Sequence, residues 1–191
     1  MFSKNHRLIS PKGVAYTIFP HKTYKRNQCA QELYDCYLKT IYPWTRTREH
    51  KGWGTYFHRM IHYETHTGVV NQLNNIINAI NDRDVTSRAA YTIVIEKPGG
   101  ETIRPLGAPC LNYVAVQLEP TERRRRLGLL CIYRNHDFLE RAYGNYWGLS
   151  NLLCFLAKET DSDVGTLTCI SSHAYIPSKK AAFKKLLEEL A

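Results

Sequence analysis

The clearest hydrophobic period in the chain runs from Val69 to Asp82. Val69, Leu73, Ile76, Ile77 and Ile80 recur at spacings of three and four with asparagines between them. That pattern predicts an amphipathic helix over 69–82, ended by Asn81-Asp82-Arg83-Asp84. Tyr91–Glu96 is rich in β-branched side chains and predicts a strand, closed by the turn Pro98-Gly99-Gly100. Two apolar runs, Leu111–Leu118 and Leu127–Tyr133, flank a polar connection over Glu119–Arg126 and predict a hairpin. A long helix opens at Asp137 or Asn145, with Leu149, Leu152, Leu153 and Leu156 as its buried stripe. Gly165–Ile176 reads as another strand. Ser178 caps a closing helix in which Phe183, Leu186, Leu187 and Leu190 face inward. The first fifty residues are less patterned. Gln28–Leu38 predicts a short helix carrying Cys29, Leu33, Cys36 and Tyr37, stopped by Pro43, and Gly52–Arg59 reads as extended chain. No repeat, low-complexity tract or linker interrupts these elements. They predict one α+β domain over 1–191 on a mostly antiparallel or mixed sheet.

Bulk properties narrow the function classes. A length of 191 residues with 43% hydrophobic and 23% charged side chains is enough for one full core and ordinary for a soluble protein. No apolar run reaches membrane-spanning length and residues 1–7 lead into no signal-peptide core, so no membrane association and a cytoplasmic location are expected. The six cysteines, at 29, 36, 110, 131, 154 and 169, form no CxxC pair. Five read as reduced, buried residues of helices and strands, with Cys110 the exception. A net charge of +9 points to an anionic partner, whether nucleotide, nucleic acid or acidic protein. The run Arg123-Arg124-Arg125-Arg126 lies between two predicted strands. It reads as a solvated hairpin tip, with a contact for nucleic acid or an acidic protein as the less favoured alternative.

Candidate chemistry centres on Ala108-Pro109-Cys110 and on Arg134, at the end of the next predicted strand. A cation near a thiol favours its charged form and lowers its pKa, which makes a nucleophile or an anion site. His58, His62 and His66 stand four apart with Glu64 among them. On one helix they would share a face, but extended chain breaks that face, and no metal is expected.

Several blocks, taken in order, resemble thymidylate synthase and the wider family of pyrimidine nucleotide hydroxymethylases. They are Gly54-Thr-Tyr-Phe-His-Arg59, Asp84-Val-Thr-Ser-Arg88, Ala108-Pro109-Cys110, Tyr133-Arg134-Asn135-His136-Asp137 (with a one-residue slip at the tyrosine), Asn145, and Asp163-Val164-Gly165 leading to His173-Ala174-Tyr175. The resemblance covers 52–177 and implies a thymidylate-synthase-like twisted mixed β-sheet flanked by helices, with 1–50 a divergent N-terminal part. It implies a methyl- or hydroxymethyltransferase acting at carbon 5 of a pyrimidine nucleotide such as dUMP. Cys110 would add at carbon 6. Arg134 would lower the thiol pKa and bind phosphate, together with Arg88 and Asn135. Asn145, which both donates and accepts, would read a uracil ring. His173 and Tyr175 would bind the sugar. Asp137 would contact the folate, with methylene-tetrahydrofolate as one-carbon donor. The resemblance also implies a homodimer in which Arg88 crosses the interface.

Departures qualify that picture. Leu111 follows the cysteine where the family has histidine, Ala89 replaces a second arginine, and Asn135 replaces a serine. The chain closes in a Lys/Glu/Leu helix where the family has a tail that covers the folate. No catalytic glutamate is firmly placed; Glu32 is the first candidate and Glu64 the second. A catalytically altered or inactive nucleotide-binding protein on the same fold is therefore the alternative, followed by a nucleic-acid-binding protein that uses 123–126.

Overall fold

The computed structural model describes residues 10–49, 52–82, 90–99, 101, 103, 107–119, 121, 122, 124–176, 184 and 187–189. The chain opens with α1 (Pro11–Ile18), α2 (His21–Asn27), α3 (Ala30–Cys36), a π-helical turn over Tyr37–Ile41 and α4 (Tyr42–Glu49). After α5 (Tyr56–Ile61) come a small hairpin, β1 (Tyr63–Thr65) with β2 (Gly68–Val70), and α6 (Gln72–Asn81). Then follow β3 (Ala90–Val94), β4 (Leu111–Glu119), β5 (Arg126–Tyr133), β6 (His136–Asp137), α7 (Ala142–Glu159), β7 (Asp163–Ser171) and β8 (Ala174–Tyr175).

The central sheet has the order β3-β4-β5-β7, antiparallel except for the parallel β5–β7 pair, so the architecture is α+β on a mixed sheet. Parallel neighbours need a long crossover, and α7 supplies it. One sheet face is the core. Ile93, Val114, Cys131 and Cys169 form a row across all four strands, and the first three of these are fully buried. Leu149, Leu152 and Leu156 of α7 and Leu73 and Ile80 of α6 belong to the same buried cluster. The opposite face carries the row Val94, Tyr113, Ile132 and Ile170, part-exposed except for Ile170, which is 51% exposed. Among the described residues no helix is long and apolar enough to cross a membrane.

Several predicted boundaries move, each for a local reason. The 69–82 helix begins at Gln72, because Asn71 caps it by accepting from the Asn74 N–H at 3.0 Å. Val69 instead pairs with Glu64 in the β1–β2 hairpin and is 53% exposed. Pro43 does not stop the N-terminal helix. The π-helical turn just before it widens the backbone, with the Tyr42 N–H reaching back to the Tyr37 carbonyl, and helix resumes through Pro43. Gly52–Arg59 is not extended throughout: Thr55 caps α5 by accepting from the His58 N–H at 3.1 Å. The 165–176 strand breaks at Ser172-His173 into β7 and β8. Leu187 is 54% exposed rather than inward-facing; Ser178, Phe183, Leu186 and Leu190 lie outside the described residues.

The arginine run is not a freely solvated tip. Arg125 donates to the Thr160 carbonyl at 2.8 Å and the Ile80 carbonyl at 3.3 Å, placing a cation on the C-terminal ends of α7 and α6, where the helix dipoles favour it. Arg124 pairs with Asp161 and, at 3.6 Å, with Asp163. Arg126 is exposed, and Arg123 lies outside the described residues.

Helix α1 lies directly on α7, and glycine makes the approach close enough. A Cβ on Gly144 would sit 2.6 Å from Val14 Cβ, and one on Gly148 would sit 2.8 Å from both the Ala15 carbonyl oxygen and Ile18 Cβ. Gly148→Ala should therefore destabilise the fold by about 1–3 kcal/mol, the range for overpacking a filled interface, despite the better helix propensity of alanine. Urea unfolding measures it; an unchanged or higher midpoint would show that the two helices do not bear on each other here.

Candidate functional site

Cys110 stands at the entry to β4, after the buried pair Ala108-Pro109. Its backbone is fixed from two sides. The Arg134 N–H donates to the Cys110 carbonyl at 2.9 Å, and the Cys110 N–H donates to Tyr56 Oη at 3.3 Å. The β4–β5 register shifts between Leu111 and Tyr113, a bulge that breaks the strand's alternation just past the cysteine. Burial, then the nearby Cys110, pushes the Tyr56 phenol up to about 12. Tyr56 therefore stays protonated across the neutral range.

Cys110 borders a cavity of about 180 Å³. Of the residues singled out from the sequence, Cys110, Asn135, Asp137, Asn145 and Tyr175 line it together. They arrive from the start of β4, the β5–β6 turn, β6, α7 and β8. Asn145 is buried in the first turns of α7 and does not cap it. Its Nδ2 lies 3.0 Å from His136 Nε2. An amide NH₂ only donates, so His136 Nε2 accepts and the ring proton sits on Nδ1, which faces Ser171 Oγ at 2.9 Å. Burial holds the His136 pKa below its ordinary value, although Asp137 pulls it the other way. The ring also stacks on Tyr133, with centroids 4.2 Å apart and planes 2° from parallel.

Asp137 Oδ1 accepts from the N–H groups of Leu139 and Glu140, at 3.1 and 2.9 Å, and so shapes the turn into α7. Burial, then the neighbouring Asp137 and Cys110, raises the Tyr175 pKa. His173 sits outside the cavity lining, its Nδ1 2.9 Å from Asn135 Oδ1 and its ring stacked on Tyr175 at 5.7 Å. Arg134 is also outside the lining; its guanidinium donates to the Glu101 carbonyl at 3.2 Å. Arg88 lies outside the described residues. The two candidate acids are elsewhere. Glu32 is exposed on α3, and Glu64 is exposed on β1 and paired with Lys97. His66 is on the β1–β2 turn, so it shares no helix face with His58 and His62.

The sequence reading missed three lining or supporting groups. Tyr56 was inside a recognised block but had no assigned role. Arg141, the N-cap of α7, is a cation on the cavity wall. His136 is 1% exposed and orients Asn145; a histidine beside the Arg-Asn pair was its signal. The five other cysteines are not uniformly buried either. Cys131 is buried, Cys36 and Cys169 are half-buried, and Cys29 and Cys154 are exposed.

A second, larger cavity of about 700 Å³ adjoins the first, and Thr17 and Thr55 belong to both linings. Tyr16, Tyr37, Trp44 and Trp147 give it flat aromatic walls, and Lys12 and Lys22 give it cationic ones. Below the Cys110 cavity, Arg59 and Glu101 form a bidentate ion pair at 2.6 and 3.1 Å, with side chains 6% and 17% exposed. Arg59 also donates to the Trp53 and Ile95 carbonyls.

No protein-family model matches this chain. It is similar to a protein of Methanosarcina barkeri (strain Fusaro / DSM 804) named "Putative thymidylate synthase", with 26% identity over 157 residues. The match takes in 82% of this chain and 65% of that relative, so the chain spans less than two thirds of the relative's length.

The Arg59–Glu101 pair generates a stability prediction. Burial alone would raise the Glu101 pKa, but the Arg59 hydrogen bonds and the Lys97 N–H outweigh it and hold the carboxyl below its ordinary value. A depressed carboxyl contributes stability above its unfolded pKa, about 4.3, and loses it as pH falls through the folded value. Glu101→Gln should destabilise at neutral pH toward the lower end of the roughly 3–5 kcal/mol seen for breaking buried pairs, since the amide keeps one acceptor. The gap from wild type should begin to narrow below about pH 4 and keep narrowing as pH falls through the folded value. Chemical unfolding at both pH values checks it, and a gap independent of pH would rule out the ionic origin.

Proposed function

We propose that the Cys110 cavity binds a pyrimidine nucleoside monophosphate, with uracil favoured, and that the protein is a thymidylate-synthase-like transferase acting at carbon 5. One observation carries the reading: five residues singled out by separate sequence blocks converge on one cavity around a cysteine. The similarity to the M. barkeri protein points the same way. In this reading the Cys110 thiolate adds at carbon 6 of the ring. A carbon–sulfur bond forms, the ring electrons move to the oxygen at carbon 4, and carbon 5 becomes nucleophilic. Asn145 spends one amide hydrogen on His136. Its other N–H can donate to the carbon 4 oxygen and its Oδ1 can accept from the ring N–H, which is the uracil pattern. Arg134, Arg88 and Asn135 are assigned the phosphate, with Arg141 as a further cation, and His173 and Tyr175 the sugar.

The second cavity fits a flat aromatic group with an acidic tail. Trp44, Trp147 and Tyr16 would hold methylene-tetrahydrofolate there, with Lys12 and Lys22 toward its carboxylates. That molecule would supply the one-carbon unit. Asp137 lines the first cavity, where it can meet the folate only at the Thr17–Thr55 boundary. We assign a second copy of this chain to the part-exposed row Val94, Tyr113, Ile132 and Ile170, and place the reaction in the cytoplasm.

A second reading, nucleotide binding without turnover, has one observation in its favour. Among the described residues Asp137 is the one carboxylate lining the Cys110 cavity, and its Oδ1 is already engaged by two backbone N–H groups. Nucleic-acid binding through 123–126 loses ground, because Arg125 is held by two helix-end carbonyls and Arg124 is paired with Asp161.

The decisive test is 5-fluoro-dUMP with methylene-tetrahydrofolate. A mass adduct mapping to Cys110, lost in Cys110→Ser while nucleotide binding persists, is expected. Nucleotide binding with no adduct selects the second reading. No preference for monophosphates over nucleosides in calorimetry removes the phosphate assignment. Arg134→Ala should weaken monophosphate binding by about 1.5–3 kcal/mol, the scale of a charge-assisted contact. Arg141→Ala run alongside ranks the two cations: a larger loss there would transfer the phosphate role to Arg141.

A further inference from the structure

Cys131 and Cys169 have no part in the reaction above, yet they are placed as a pair. They are register partners in the parallel β5–β7 ladder, so both side chains leave the sheet on its core side. Neighbouring strands lie about 4.8 Å apart, within the roughly 4.4–6.8 Å between Cα atoms that a disulfide spans. The two thiols perturb each other's titration, Cys131 upward and Cys169 downward.

Their accessibility differs in the same sense. Cys131 is 0% exposed, whereas Cys169 is half-buried on the strand that forms the sheet edge among the described residues. Solvent reaches the Cys169 sulfur first, so Cys169 is the one placed to attack. The sulfur behind it is reached through the first.

We propose that Cys131 and Cys169 form a thiol–disulfide exchange site whose substrate is a small-molecule disulfide of the glutathione type. The Cys169 thiolate attacks one sulfur of the glutathione disulfide. A Cys169–glutathione bond forms, the glutathione disulfide bond breaks, and one glutathione leaves as a thiolate that takes up a proton. Cys131 then loses its proton and attacks the Cys169 sulfur. The protein disulfide forms and the second glutathione leaves and is protonated. Two protein thiols are oxidised, and one glutathione disulfide is reduced to two thiols. The next step of the β5–β7 register pairs Tyr133 with Ser171, the residue that faces His136 Nδ1. The disulfide therefore fastens the two strands directly behind the His136–Asn145 bond.

The test equilibrates the full chain in glutathione buffers of increasing oxidation, blocks free thiols with an alkylating agent, and maps peptides without reduction. The expected result is a linked Cys131–Cys169 peptide, an intact mass lower by two hydrogens, and reversal by dithiothreitol. Cys131→Ser should stop at a glutathione adduct on Cys169, and Cys169→Ser should leave Cys131 unmodified. Because Cys131 is a core position, the wild-type map alone is decisive if that variant does not fold. The proposal fails if Cys131 and Cys169 both remain alkylatable on denaturation in buffers that already glutathionylate the exposed Cys29 and Cys154. It also fails if Cys131→Ser carries no adduct on Cys169. Neither outcome bears on the Cys110 reading, which the fluoropyrimidine adduct tests separately.

Discussion

Two missing side chains on α7 set how the cavities are built. Gly144 and Gly148 let α1 lie against α7 with Val14 and Ile18 where β-carbons would otherwise stand. Asn145 follows Gly144 directly, so the helix turn that reads the cavity is the one that α1 presses upon. The same contact carries Val14 into the lining of the first cavity and Thr17 to the boundary it shares with the second. A larger residue at either glycine would push α1 outward and open that boundary. Packing here is close enough that little slack is available to absorb the shift.

The strong positive charge takes on a different meaning once its bonds are traced. Arg59 neutralises Glu101 in the interior, Arg125 caps two helix ends, and Arg124 holds Asp161 and Asp163. These three arginines are therefore engaged by acceptors of the chain itself rather than laid out as a binding stripe. Arg59 and Arg134 meet at the same residue. Arg59 grips the carboxylate of Glu101 and Arg134 its carbonyl. Because the Arg134 N–H also holds the Cys110 carbonyl, the cysteine, the Glu101 carbonyl and the buried ion pair form one connected frame.

What the sequence discloses follows the range of the interactions involved. Strong periodicity foretells α6 and α7, and β-branched runs foretell β3, β4 and β5, because each rests on burial of one face. Boundaries decided by a single side chain are missed: the Asn71 cap, the Thr55 cap, and the π-helical turn that lets Pro43 sit within a helix. The same split divides the site. Cys110, Asn135, Asp137, Asn145 and Tyr175, which line one cavity, can be singled out because their residue types follow a recognisable order. The direction of the Arg134 guanidinium is hidden, since it depends on a carbonyl in a turn far along the chain. Tyr56, His136 and Arg141 escape because a tyrosine, histidine or arginine is as often structural as chemical until its neighbours are known.

His136 shows why such supporting residues matter. A carboxamide can be turned over at little steric cost, and turning Asn145 would exchange its donor and acceptor edges. With its proton on Nδ1, His136 opposes this, since Nε2 then accepts and holds the Asn145 NH₂ against it. A second proton on the ring would make Nε2 a donor and favour the turned amide, which would present its two N–H groups on the other side. Burial, which lowers the His136 pKa, therefore acts at a distance: it keeps the imidazole neutral and the edge that Asn145 presents fixed. The buried stack on Tyr133 and the Ser171 hydroxyl complete that arrangement by holding the ring plane and its remaining proton in place.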